Sequence, residues 1–332
     1  MLKAGKLPEE VLVRSVLGQI GHRREEVLSG PAVGADCAVL KTDPDEVLLF
    51  STDPITGASH GIGGHSIHIT ANDLSAAGAE PVAVLLTVLV PESTDEAEIG
   101  EMMRSAEEAC ASLGMEILGG HTEITDAVTK PVISVTGIGK CKKERMLKPE
   151  NVRGGMDVLV TKWIGLEATA ILAADREADL AGKISPEVLE RAKGFSAYLS
   201  VVPEAGIALE NGVVLMHDIT EGGILGALWE AAEVGGAGLR IDREKIPVRE
   251  ETREICGLFG ADPLRIMSSG SMLMIAEDGE KLVSELKKAG IPASVIGKTV
   301  DTGERVLTEE GRETALAAPE PDELYAALRK QI

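Results

Sequence analysis

Aromatic side chains are scarce in this chain of 332 residues: two Trp, two Tyr and three Phe, 2% of the total. Its core must therefore be built from aliphatic residues and Ala. Basic residues are also few, 33 Lys and Arg against 54 Asp and Glu, which leaves a formal charge of -21. Such a surface repels a phosphate backbone, so nucleic acid is not an expected partner. The four cysteines, Cys37, Cys110, Cys141 and Cys256, form no CxxC pair. Neither a zinc knuckle nor a disulfide framework is indicated, and a reducing cytoplasm is the expected compartment. The N-terminus lacks an apolar core of signal-peptide length, and no run reaches the roughly 18 apolar residues of a membrane span. The longest, PVAVLLTVLVP, is bounded by prolines and reads as a buried strand. Absent as well are GxxxxGK[ST] and a GxGxxG after a strand, which excludes a Walker loop and a Rossmann dinucleotide site.

What remains is a globular composition, 44% hydrophobic with 37 Gly, in a chain too long for one hydrophobic core. Helices are expected near residues 8–18 and 66–78, strands near 37–40, 46–52 and 82–90, and an amphipathic helix over 95–113. In that last element Ile99, Met102, Met103, Ala106, Cys110 and Leu113 recur at helical spacing after the cap-forming Ser93-Thr94-Asp95. Strands near 115–118 and 131–139 complete a first unit. Paired glycines in NVRGGMD precede a fresh strand, DVLVTK, so the expected domains are 1–155 and 156–332. The second half again mixes the two element types: helices across 166–208, strand VVLM, a helix over 221–234, strands GLRI and SMLMIA, and a short final helix opened by APEPDELY.

Three aspartates stand at strand ends or at the start of a helix-forming run: Asp36 in GADCAVL, Asp53 in LLFSTDP and Asp73 in ITANDLSAAGAEP. Any one alone is most simply a turn or cap residue. Carboxylates fixed at strand ends also suit a hard cation such as magnesium. The glycine-rich GASHGIGGHS offers amides for a phosphate nest. Two later segments add polar groups. LGGHTEIT holds Gly120, His121, Thr122 and Glu123. In LMHDITEGGILGAL a strand delivers His217 and Asp218 to a turn where Thr220 can cap a helix opened by Glu221-Gly222-Gly223, and helix N-termini favour anions. Capping accounts for Thr220 but leaves Asp218 without a task.

The order GxD, STD, ANDL with AxGAEP, GGHTE and HDITEGG resembles the aminoimidazole-ribonucleotide (AIR) synthetase superfamily over nearly the whole chain. That superfamily also contains the carbamoyl dehydratase HypE, thiamine-monophosphate kinase and selenophosphate synthetase. The resemblance is strongest to the HypE-like and AIR synthase-related branch. It implies an α+β chain with an N-terminal α/β domain that dimerises through its sheet and a C-terminal two-layer α+β domain. It also implies ATP and Mg2+ as cofactors, a small-molecule substrate, and a homodimer. By motif, Asp36, Asp53, Asp73, Glu123 and Asp218 would be metal ligands, and Asn72, Gly120, His121, Thr122, Glu123, Asp218, Thr220 and Gly222 would surround the nucleotide.

Some motifs depart from the family. The chain ends in LRKQI and its last cysteine is Cys256, whereas the dehydratase carries a terminal cysteine that receives the carbamoyl group. DPITGASHG stands where the purine enzyme has DGVGTK, and GGHT where kinase relatives have GGDT. Only Lys3 and Lys6 occupy the segment that holds the reactive residue of selenophosphate synthetase. The expected activity is thus ATP-dependent phosphorylation or dehydration of a small molecule, rather than HypE dehydration as such. The alternative is a nucleotide-binding scaffold or accessory protein without turnover. Two weaker readings are a transition-metal site at His60, His65 and His68, and a nucleophilic Cys37; isolated histidines are usually caps or surface groups, and nothing near Cys37 lowers a thiol pKa.

Overall fold

The computed structural model describes residues 5–6, 9–31, 39–56 and 61–332. Its contacts divide the chain into two compact units, Met1–Ser75 with Ala79–Met146, and Ala76–Gly78 with Leu147–Ile332. The main division thus falls at Met146, nine residues before the position expected from the glycine pair.

Among the described residues seven strands belong to the first unit: β1 (Gly5–Lys6), β2 (Val27–Ser29), β3 (Val39–Leu40), β4 (Glu46–Ile55), β5 (Glu80–Val90), β6 (Glu116–Ile124) and β7 (Val132–Lys142). Five make a sheet in the order β1-β6-β5-β7-β4, and β2 pairs with β3 as a separate ribbon. β5 and β6 run parallel, and the crossover between them is the helix Glu96–Leu113. That helix begins with a capping box, Asp95 accepting from the Glu98 amide while Glu98 accepts from Asp95, so two otherwise orphaned amides are satisfied. It ends at Gly114, whose φ of 69° is left-handed. Burial of Ile99, Met103, Ala106 and Cys110 confirms the apolar stripe.

The helix Ile62–Ala76 starts earlier than expected and absorbs Gly63, Gly64 and His65 of the glycine-rich segment. A Cβ on Gly63 would lie 2.0 Å from the Met102 carbonyl oxygen, so this glycine serves close packing between the two helices. The Gly64 amide meets Ser105 Oγ at 3.2 Å and the His65 amide the Gly61 carbonyl at 3.0 Å; residues 57–60 lie outside the described residues. Likewise the expected helix near 8–18 is a set of short turns: Glu9–Val11, a π segment Leu12–Val16 and a 3-10 turn Leu17–Gln19.

The far face of this sheet is covered at one end by the ribbon, where Val27 and Leu40 pack near Ala83, Leu118 and Ile138. There Glu26, 8% exposed, meets Arg24 and Lys140. Beyond the ribbon Phe50 and Leu85 remain 65% and 37% exposed.

The second unit contains β8 (Asp157–Thr161), β9 (Val213–Asp218), β10 (Gly238–Asp242), β11 (Met272–Ala276), β12 (Ala293–Val300), β13 (Arg305–Glu309) and β14 (Arg312–Ala315). They form one sheet in the order β14-β13-β10-β12-β8-β11-β9. On one face the helix Gly223–Gly235 buries Ile224, Ala227 and Leu228 against Val160, Leu215 and Leu273. On the other, the helices Val202–Leu209 and Gly279–Lys288 bury Ala205, Ala208, Leu282 and Leu286 against Leu159, Met216 and Met274. Helices thus pack on both faces of this sheet. The reason is that β8, β9 and β11 are apolar on both sides, as in the fully buried MLMIA of β11, and such strands need cover on each face.

A buried ion pair locks the loop after β8. Lys162 has φ of 54°, and its ammonium contacts Glu204 Oε1 at 2.8 Å with side-chain exposures of 7% and 1%. It also donates to the carbonyls of Tyr198, Ser200 and Gly270.

Candidate functional site

Asp53 lies on β4 opposite Val135 of β7. Two residues earlier Ser51 donates a hydrogen bond of 2.5 Å to Asp73 Oδ2, on the helix Ile62–Ala76. Alternate residues of a strand share a face, so Ser51 and Asp53 both point to the helix side. Asp73 is thus tied to Ser51, two residues before Asp53 on the same face of β4. Asn72, in the same helix, is fully buried.

Gly120, His121, Thr122 and Glu123 all lie within β6, paired with Leu86, Thr87, Val88 and Leu89 of β5. Gly120 has φ of 147°, and a Cβ there would fall 1.8 Å from the Leu86 carbonyl oxygen. Only glycine permits this approach of the two strands. His121 and Glu123 occupy the same face of β6 and interact, Nε2 to Oε2 at 3.2 Å. Their partners Thr87 and Leu89 alternate with the buried Leu86 and Val88, which puts His121 and Glu123 on the far face. Sequence order did not reveal this: Asp53 and Asp73 lie on the helix side of the sheet, whereas Glu123 is on the far side.

In the second unit Asp218 ends β9 opposite Met272. The residue is 5% exposed, and Oδ2 has no hydrogen-bond partner among the described residues. A buried carboxylate oxygen left this way is costly, and a cation is the partner such an atom suits. His217 beside it contacts Glu230 at 2.9 Å and Asp218 at 3.9 Å. Burial lowers the imidazole pKa, but the two carboxylates outweigh it and hold the value up at about 9. His217 is therefore a cation at neutral pH, a feature that sequence alone left unassigned.

The turn after Asp218 departs from expectation in one respect. The N-cap of Gly223–Gly235 is Gly222, with φ of 82°, rather than Thr220; the Thr220 carbonyl accepts from the Gly223 amide. Gly223 has no room for a side chain, since a Cβ would meet the Leu264 and Ile266 carbonyl oxygens at 2.6 and 2.8 Å. The Gly222 amide is engaged by Asp322 Oδ2 at 2.8 Å, a contact made by a residue 100 positions away that no motif signalled. Burial raises the Asp322 pKa above the ordinary carboxylate value.

Asp36, Cys37 and His60 lie outside the described residues. Among the described residues no three His, Cys, Asp or Glu side chains are grouped closely enough to hold a metal ion. The donor types of Asp53, Asp73 and Asp218, all carboxylates, nonetheless fit a hard divalent cation. Cys256 is fully buried, and burial pushes its thiol up to about 12, an inert state for a thiol.

Two α+β units, one with a five-stranded and one with a seven-stranded sheet, carrying carboxylates at strand ends and a glycine-gated helix start, define a class of two-domain proteins. The chain belongs to the AIR synthase related family: the N-terminal domain of that family matches residues 34–141 and the C-terminal domain residues 153–309. A protein named for hydrogenase expression and formation in Methanocaldococcus jannaschii is 30% identical over 80% of this chain and 79% of its own length. The carbamoyl dehydratase HypE of Rhodobacter capsulatus is 26% identical over 78% of this chain and 77% of its own. Thiamine-monophosphate kinase of Pyrococcus horikoshii is 30% identical, with 68% of each chain covered. Among solved structures, HypE of E. coli superposes with a TM-score of 0.80 at 21% identity, covering 96% of this chain and 100% of that one, a likeness of fold. Relatives of this chain thus include HypE proteins and a kinase. No helix among the described residues is long and apolar enough to cross a membrane.

Proposed function

We propose that this protein binds ATP with magnesium and uses it to phosphorylate or dehydrate a small molecule. The observation that supports this most directly is that Ser51 holds Asp73 on the helix side of the first sheet, the face to which Asp53 also points. Carboxylates presented on one face suit a hard divalent cation. A bound magnesium ion would screen the triphosphate charge, and the carboxylates of Asp53 and Asp73 would hold and orient it. Relatives with nucleotide chemistry lend weight: the solved structures include a HypE in complex with ATP and a thiamine-monophosphate kinase complexed with AMPPCP and TMP. Asp36 belongs to the same proposed ligand set by motif, with Asn72, Gly120 and Thr122 near the phosphates; Glu123, on the far face, is left out of that set. In the second unit the unpartnered oxygen of Asp218 is the proposed cation contact and the turn through Thr220 and Gly222 the proposed phosphate contact.

The exposed Phe50 and Leu85 on the far face of the first sheet support a homodimer formed through that face, which would also cover His121 and Glu123. The test of the nucleotide reading is calorimetry with ATP, with magnesium and again with excess EDTA, followed by assay of ADP release in the presence of candidate small amides and phosphates. Binding is expected only with the metal; equal affinity in both conditions refutes the carboxylate site.

A further inference from the structure

The Gly222 amide, at the start of a 13-residue helix, is occupied by a carboxylate from the same chain. Asp322 is only 4% exposed; Oδ2 accepts from Gly222 and Oδ1 from Leu324, both at 2.8 Å. Neighbouring contacts hold the same segment down. The Tyr325 hydroxyl donates to Glu221, the Asp262 amide to Glu323 at 2.6 Å, and Arg265 meets Glu320 at 3.3 Å. A cavity of about 140 Å3 separates Gly222, Leu225 and Gly226 from residues 317–321. Those five residues are exposed and lack regular structure, and they lie beyond residue 309, where the match to the family ends.

We propose that residues 317–325 are a latch over the turn that follows Asp218, with Asp322 standing where an anionic ligand group would meet Gly222. This rests on the reading of that turn as a phosphate contact. The closed state carries its own reason to open. Asp218, four residues before Gly222, keeps Oδ2 buried and without a partner among the described residues, a cost that a cation arriving with an anionic ligand removes. A carboxylate and a phosphate cannot share one amide, so ligand entry displaces Asp322. The apparent affinity is then reduced by the fraction of molecules that are latched.

The test uses the full chain, Asp322→Ala and Tyr325→Phe, with hydrogen exchange by mass spectrometry and calorimetry with Mg-ATP. Asp322→Ala should speed exchange across residues 219–226 and 317–325 together, by roughly tenfold, and tighten Mg-ATP binding by a similar factor. Tyr325→Phe, which removes one hydroxyl and keeps the ring, should shift both in the same direction by less. In the wild type, Mg-ATP should raise exchange at 317–325. Equal Mg-ATP affinity in all three proteins overturns the latch alone, as does weaker binding by the variants. Absence of Mg-ATP binding in all three overturns the phosphate reading and the latch with it.

Discussion

Lys162→Met tests whether the buried pair in the second unit holds together the loops that position its helices. The substitution preserves much of the side-chain volume but removes the ammonium, leaving the Glu204 carboxylate the Thr161 hydroxyl at 3.1 Å. The carbonyls of Tyr198, Ser200 and Gly270 also lose their shared donor. Breaking a buried pair from one side costs about 3–5 kcal/mol, because a charge is left uncompensated. Against this, the left-handed backbone at Lys162 stays strained in Met, so no relief of the roughly 1–2 kcal/mol carried by such a conformation is gained. Lys162→Gly would recover that strain but also empty the space the buried stem fills, a cost of about 2–5 kcal/mol, so it should be no less damaging than Met. At about 2–4 °C per kcal/mol for a unit of this size, Lys162→Met should lower the midpoint by roughly 6–20 °C. Both tryptophans, Trp163 and Trp229, belong to this unit, so intrinsic fluorescence during urea unfolding follows it selectively. A loss below about 1 kcal/mol for Lys162→Met would refute the reasoning, since it would mean that the pair is no better than a surface ion pair.

Three further outcomes are expected. Asp53→Asn and Asp73→Asn should each weaken Mg-ATP binding by roughly a hundredfold in calorimetry with the fold retained by circular dichroism, because a neutral amide is a poorer ligand for a hard cation; Cys256→Ser should leave that affinity unchanged. Phe50→Asp combined with Leu85→Asp should yield a monomer in light scattering where the wild type gives twice that mass, and a dimeric double variant would rule out the far face as the interface. Arg24 holds the Glu26 carboxyl well below its ordinary 4.5, against the opposing effect of burial and with help from Lys140. Because the folded-state pKa is depressed, the stability from this cluster is present above pH 4.5 and is lost as pH falls below it. Glu26→Gln should accordingly cost about 2 kcal/mol at pH 7 and flatten the acid limb of an unfolding profile; parallel acid limbs in the two proteins would contradict the assignment.

Sequence by itself determined the class of protein and most of its regular elements. Spacing of Ile99, Met103, Ala106 and Cys110 sufficed for the long helix, since a stripe at helical period must be buried whatever it packs on. The run PVAVLLTVLVP was a strand for the same local reason, and ordered motifs were enough for the family. Tertiary structure decided what depends on partners distant in the chain. Which side of the sheet Glu123 occupies follows from its pairing with Leu89, and a strand's sequence fixes only alternation, not which face meets the helices. Gly63 looked like part of a phosphate loop because a glycine's freedom and its smallness are the same letter; the Met102 carbonyl decides between them. Thr220 had the chemistry of a cap, but the position fell to Gly222 because Gly223 must fit against Leu264 and Ile266. Asp322 reaches the Gly222 amide only once the chain has folded back on itself, so a contact across 100 residues could not be read from either segment alone.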